Sequence, residues 1–270
     1  MRPAWSEQFD ADRLRELELA LPGPIDRDWA WGGSTGAGVK VGILDSGVEA
    51  DHPAVGRLAG GVAVVPDDDA DEGFRILENQ TDDHFGHGTA CSGIIRALAP
   101  EAELYSIRVL GEKLSGRGWI LAEGLRWALQ NGMQVLNLSL STPKEDYYGL
   151  LHELADEAYF ADVILVCAVN NVPGPSYPAL YSSVISVAAH DGTDPERFYY
   201  NPNPPVEFGA PGIDLEVAWK GGKTVRATGN SFAAPHITGL VARLLAKHPD
   251  LKPFQVKTVL AALADNSAHR

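Results

Sequence analysis

Cysteine is scarce in this chain of 270 residues: Cys91 and Cys167 are the only two. Two thiols cannot build a disulfide framework, and no Cys/His cluster shows zinc-ligand spacing, so both read as buried thiols. Positive charge is short as well, since 22 Lys and Arg against 36 Asp and Glu leave a net charge of −14. That balance argues against a nucleic-acid footprint and favours solubility and cationic partners. No apolar run approaches the roughly 18 residues that a membrane-spanning helix needs. The start, Met1-Arg2-Pro3-Ala4-Trp5, lacks the basic and apolar regions of a secretory leader, so the sequence alone leads us to expect a cytoplasmic chain. Internal repeats and linkers rich in Ser, Pro or Gly are also missing, which points to a single domain.

What is present is core material. Hydrophobic residues make up 45% and charged residues 21% of the chain, which rules out disorder as a global description. Residues 10–20 place Leu14, Leu17 and Leu21 on one helical face, and Leu21-Pro22-Gly23-Pro24 ends that pattern. From Val39 onward, β-branched runs alternate with segments of helical period. Strands are expected at 39–44, 104–109, 134–138, 163–169 and 184–188, with helices at 88–98, 117–131 and 146–159. Nearly continuous apolar strands such as Val163-Ile164-Leu165-Val166 suit a parallel sheet covered on both faces, so the fold class is α/β, doubly wound. Short strands follow at 206–209, 215–218 and 223–227, with Gly221-Gly222 as a hairpin turn, then helices at 231–247 and 252–264. The expected organisation is an N-terminal extension over 1–28, one folded domain over 29–264 and a frayed tail over 265–270. The stretch from Asp67 to Asp83 holds eight acidic residues against Arg75, and reads either as a solvated loop or as a negative rim that favours basic substrates or a hard cation.

Three short segments carry chemistry. Val39 to Leu44 runs into Asp45-Ser46-Gly47, which puts a carboxylate at the carboxyl end of a buried parallel strand, where open α/β sheets bind ligands. His87-Gly88-Thr89 opens an apolar helix, and Ser231 in Gly229-Asn230-Ser231-Phe232-Ala233-Ala234-Pro235 opens another, with Pro235 taken to lie in its first turn. Singly, these are a turn Asp, a surface His and a cap Ser. Together their chain order Asp, His, Ser is that of subtilisin and differs from those of chymotrypsin and the α/β-hydrolases.

The chain therefore resembles the subtilisin-like serine proteases, or subtilases. Val41-Gly42-Ile43-Leu44-Asp45-Ser46-Gly47-Val48 resembles the family's Asp block, Gly86-His87-Gly88-Thr89 its His block, and Gly229 to His236 its Ser block. Leu98 to Tyr105 and Asn137-Leu138-Ser139-Leu140 also follow the family pattern, so the resemblance covers about residues 29–264. It implies a three-layer subtilisin-like fold, with a mainly parallel central sheet and helices on both faces. It also implies a serine endopeptidase in which Ser231 attacks, His87 relays the proton and Asp45 holds the imidazole. Laid over the family's strand ending in Gly-Asn, Val163 to Asn171 makes Asn171 the oxyanion amide, with Asn170 as the runner-up. Extended substrate is expected to pair with edge segments near Ser139, Leu140 and Ser141 and near Leu114, Ser115 and Gly116.

Departures from the family describe this member. Asn170 stands where the family has Gly, and Ser141-Thr142 stands where it has Gly-Gly. Side chains at both walls narrow the primary pocket, so a small or polar residue is expected before the scissile bond. Asn230 replaces the usual Thr before the nucleophile. The helix after His87 runs on to Ala99-Pro100 without the calcium loop of many secreted members, and Ala54 follows His52-Pro53 where an Asp is frequent. No cofactor is expected to be required, and the strong calcium site is expected to be absent, with weak calcium binding elsewhere left open. The expected partner is a peptide or protein substrate, such as a precursor peptide that a dedicated processing enzyme would trim. Nucleic acid and a membrane span are not expected, and the oligomeric state stays open. The alternative is a catalytically silent subtilase fold that binds peptides. A metallohydrolase using Asp82, Asp83, His84 and His87 lacks a helical His pair or a second ligand cluster.

Overall fold

Successive side chains of the central strands enter opposite layers, and both layers are apolar. The computed structural model describes residues 25–267. Its elements are α1 (Arg27–Trp31), β1 (Lys40–Asp45), β2 (Gly60–Pro66), β3 (Phe74–Glu78), α2 (His87–Leu98), β4 (Glu103–Arg108), α3 (Gly118–Gln130), β5 (Val135–Leu138), α4 (Tyr148–Phe160), β6 (Ile164–Ala168), β7 (Ile185–His190), β8 (Tyr199–Tyr200), β9 (Phe208–Pro211), β10 (Leu215–Trp219), β11 (Lys223–Ala227), α5 (Asn230–Lys247) and α6 (Pro253–Leu263). β1 sends Val41 and Ile43 to one core and Leu44 to the other, and β6 divides Val166 from Leu165 in the same way. The first core is closed by α1, α2, α5 and α6, the second by α3 and α4. Burial on two faces is why these strands read as unbroken apolar runs.

The nine-stranded sheet has the order β3-β2-β4-β1-β5-β6-β7-β9-β8. Its neighbours are parallel except at the two edges, where β3 runs against β2 and β8 against β9. The hairpin β10–β11 forms a separate two-stranded sheet that packs Val217 against Ala90 of α2 and Phe232 of α5. The carboxyl ends of β1, β5 and β6 and the amino ends of α2 and α5 thus meet at one rim of the sheet.

Several expectations need correction. The acidic stretch is not wholly a loop, because β3 lies inside it. Ile76 and Leu77 remain 39% and 38% exposed on that edge strand, so there was no apolar run to find. Helix α1 spans positions 28 and 29, and the division there stays an expectation. Residues 265–267 do not fray: the Asp265 carboxylate accepts from Phe198 N–H and Arg27, and the Asn266 side chain accepts from Tyr200 N–H. The helix expected over 10–20 lies outside the described residues. Pro235 sits beyond the first turn of α5, where its missing N–H leaves the carbonyl of Ser231 without its helical partner.

The next residue of α5, His236, is buried and its Nδ1–H donates to the Phe232 carbonyl. Burial, outweighing that bond, pulls its pKa down to about 4. The unfolded chain takes up this proton near pH 6.5 and the folded chain only near 4, so between those values the unfolded state binds more protons. This group's contribution to stability is full above 6.5 and is lost as pH drops through the window, by about 3 kcal/mol in all. Denaturant titrations of the Ser231→Ala protein from pH 7 to 4.5 should show this slope. An additional His236→Gln change should flatten it, and equal slopes in the two proteins would refute the assignment.

Candidate active site

Asp45 ends β1 with its side chain fully buried, and both carboxylate oxygens face Nδ1 of His87 at 2.8 and 2.9 Å. With Nδ1–H donating to the carboxylate, Nε2 is the ring nitrogen that keeps its lone pair. Burial alone lowers the pKa of His87, yet the charge and hydrogen bond of Asp45, helped by Cys91, hold it well above the usual imidazole range.

The approach of strand end and helix start depends on glycine. A Cβ on Gly88 would lie 2.0 Å from the Gly47 carbonyl, and one on Gly86, at φ +121°, would lie 2.5 Å from the Trp219 ring. Asp83 then fastens the two segments. Its Oδ1 accepts from Ser46 Oγ–H and from the N–H groups of Phe85 and Gly86, and its Oδ2 accepts from Thr89 N–H and Oγ1–H. These bonds satisfy N–H groups that open α2 and lock the residue after Asp45 onto the helix that carries His87.

Ser231 lies in the first turn of α5. Its carbonyl, which Pro235 cannot engage, accepts instead from Ser139 Oγ–H at 2.7 Å and from the Cys91 thiol at 3.5 Å. Ser139 Oγ in turn accepts from the Asn137 side chain. The Phe232 ring, next to the nucleophile in sequence, stands 5.3 Å from the His87 ring. Asn171 reaches the same corner: its Oδ1 accepts from Asn230 N–H at 2.9 Å, and a Cβ built on Gly229 would lie 3.2 Å from Ser231 Oγ and 3.5 Å from Asn171 Nδ2. Asn170 is committed elsewhere, accepting from Ser141 Oγ–H and donating to the Pro175 carbonyl.

The expected substrate-binding residues divide. Leu114, Ser115, Gly116, Ser139, Leu140, Ser141 and Thr142 line one cavity of about 330 Å³, and Asn170 is not part of that lining. Thr142 is not an open edge, since its N–H and C=O both pair with Tyr177. Ser139 also bonds the nucleophile's carbonyl through its side chain. The metal reading fails on geometry: Asp83 is consumed as a brace and His84 lies against Arg108. Among the described residues, the ligand-type side chains that converge are Asp45, His87 and Cys91. Sequence reasoning missed Asp83 and Cys91 as members of the site. An Asp four residues before a helix-opening His was the available sign for the first, and Cys91 one turn after His87 for the second.

Comparison with known proteins assigns the family. The subtilase family model, peptidase S8, matches residues 36–270. Subtilisin DY of Bacillus licheniformis is 32% identical over 249 residues, covering 87% of this chain and 86% of the relative. Subtilisin Savinase of Lederbergia lenta is 34% identical over 239 residues, 84% of each chain. M-protease of Shouchella clausii is 34% identical over 84% of this chain, which spans 59% of that longer relative. A cold adapted subtilisin-like serine proteinase of known structure superposes with a TM-score of 0.69 at 23% identity, covering 87% of this chain and 86% of that one. Because the relatives found are secreted subtilisins and alkaline proteases, they overturn the expectation of a cytoplasmic chain. No helix among the described residues is long and apolar enough to cross a membrane. Likeness to working subtilisins also favours an enzyme over a silent peptide-binding fold. The chain belongs to the subtilase family and is a subtilisin-like serine endopeptidase.

Proposed function

We propose that Asp45, His87, Ser231 and Asn171 carry out this hydrolysis, and that the enzyme cuts after small or polar residues. His87 Nε2 takes the Ser231 proton as Oγ attacks the scissile carbonyl, then delivers it to the departing amine. Asp45 keeps the imidazole in the tautomer this requires and stabilises the imidazolium. The tetrahedral oxyanion is taken by Asn171 Nδ2 and by the backbone N–H of Ser231 at the positive end of α5. Water then releases the acyl group by the same relay in reverse. Peptide substrate lies extended along Ser139 to Ser141 and Leu114 to Gly116, where backbone pairing tolerates many sequences and leaves selection to the pockets.

The observation that carries the narrow specificity is the 2.8 Å bond from Ser141 Oγ–H to Asn170 Oδ1. Those two positions form the pocket's opposite walls in the family, and here their side chains join. Such a pocket suits a dedicated processing enzyme, for example one trimming a precursor peptide, better than general protein turnover. The uninterrupted α2 and Ala54 support the lack of the family's strong calcium site, and residues 29–264 are read as the catalytic unit. A peptide library should show Gly, Ala or Ser preferred over Phe and Tyr at the residue before the cut, by about 10-fold or more. The double change Ser141→Gly with Asn170→Gly should shift the preference toward Phe by a similar factor. A wild type that prefers Phe or Tyr would overturn the reading.

A further inference from the structure

Asn230 occupies a break in the central sheet. β6 and β7 are parallel, with Ala168 opposite Val187, and the last direct bond between them runs from Val169 N–H to the Val187 carbonyl at 3.1 Å. The next rung of a parallel ladder would join Ala189 N–H to the Val169 carbonyl. The side-chain amide of Asn230 fills that rung instead. Its Oδ1 accepts from Ala189 N–H at 2.9 Å, and its Nδ2 donates to the carbonyls of Val169 at 3.1 Å and Asn170 at 3.0 Å. A carboxamide has the donor and acceptor pattern of a peptide group, so it extends the sheet by one rung while letting the strands part around the start of α5. The backbone N–H of the same residue bonds Asn171 Oδ1, which selects the orientation of that amide and leaves Nδ2 as its donor end.

From this juxtaposition we propose that Asn230 is a positioning residue for the oxyanion site, fixing through one carboxamide and one N–H both the Asn170–Asn171 backbone and the rotation of the Asn171 amide. The proposal rests on Asn171 being the oxyanion donor. A hydroxyl in place of the carboxamide has one donor proton for two carbonyls and is a different length, so Thr at this position cannot make the same rung.

The test compares Asn230→Ala, Asn230→Thr and the isosteric Asn230→Asp, each alone and combined with Asn171→Ala, on a peptide substrate of fixed sequence. Each Asn230 change should lower kcat by about 10- to 100-fold with KM altered less than about threefold, the signature of a displaced transition-state contact. Affinity for a peptide aldehyde, which forms the tetrahedral adduct on Ser231, should fall with kcat, while affinity for a non-reactive competing peptide should hold. Placed on Asn171→Ala, the same changes should cost no more than about two- to threefold. Full additivity in that background, or equal weakening of aldehyde and non-reactive peptide, would overturn the positioning role. If Asn171→Ala alone left kcat unchanged, the oxyanion assignment would fail instead, a distinct outcome. Should Asn230→Ala not fold, Asn230→Asp and Asn230→Thr answer the same question.

Discussion

Replacing Ser231 by alanine is expected to lower kcat by about 10⁶-fold and to abolish the single adduct that a fluorophosphonate forms on the wild type. The magnitude is that known for this change in subtilisin itself, carried over on family likeness, where removal of the serine or the histidine alone costs about as much as removing the whole relay. The loss is so large because the hydroxyl becomes a nucleophile only where Asp45, His87 and the oxyanion donors act together. Activity should still exceed water's by about 10³ to 10⁴, since oxyanion donors and the peptide groove remain. Intact-mass analysis before and after the probe makes the check. An adduct that persists in Ser231→Ala would place the reactive serine elsewhere, and a folded wild type that takes no adduct would mean that the relay is idle.

The second large effect is expected at Asp45. Asp45→Asn should lower kcat by about 10⁴-fold with KM nearly unchanged, because Asn preserves the shape but not the acceptor that fixes the imidazole tautomer. The pH profile should move as well. In the wild type, His87 must lose its proton before it can act as base, and the Asp45 charge holds that proton to well above pH 6.5. The acid limb of kcat/KM therefore has its midpoint above 6.5 and activity rises into the alkaline range. In Asp45→Asn burial is no longer opposed by that charge, so the limb should move to lower pH even as the plateau drops. A wild-type midpoint at or below 6.5, or a limb unmoved by the change, would refute this account. Stability runs the other way: the protonated pair adds stability that is fully present below 6.5 and is lost as pH rises through the raised folded pKa.

Legibility from the sequence followed locality. β1, β5 and β6 are buried on both faces, so their apolar runs announced themselves, and α2, α3 and α5 showed their helical period, although Ser231, read alone as a cap, lies inside α5. β2 and β3 escaped notice because one begins Gly60-Gly61 and the other is an exposed edge whose charged residues resemble a loop. The chain order of Asp45, His87 and Ser231 was enough to assign the family, since each block carries its own glycines and helix start. What stayed hidden depends on partners far apart in the chain. Cys91 meets the Ser231 carbonyl across 140 positions, Ser139 meets it across 92, and Asn230 meets Ala189 across 41. Asp83 was hidden differently: as one acid among eight it looked like solubilising charge, and only its five donors distinguish it.

The Pro235 gap gives the nucleophile an unusual mechanical allegiance. Although Ser231 is helical by conformation, its carbonyl is held by Ser139, just beyond β5, rather than by the next turn of its own helix. Thermal fraying at the head of α5 therefore need not carry the serine with it, whereas loosening at the end of β5 would release it. The backbone of the reacting residue is thus tied to the central sheet through Ser139 and to α2 through Cys91, as well as to the helix that presents it.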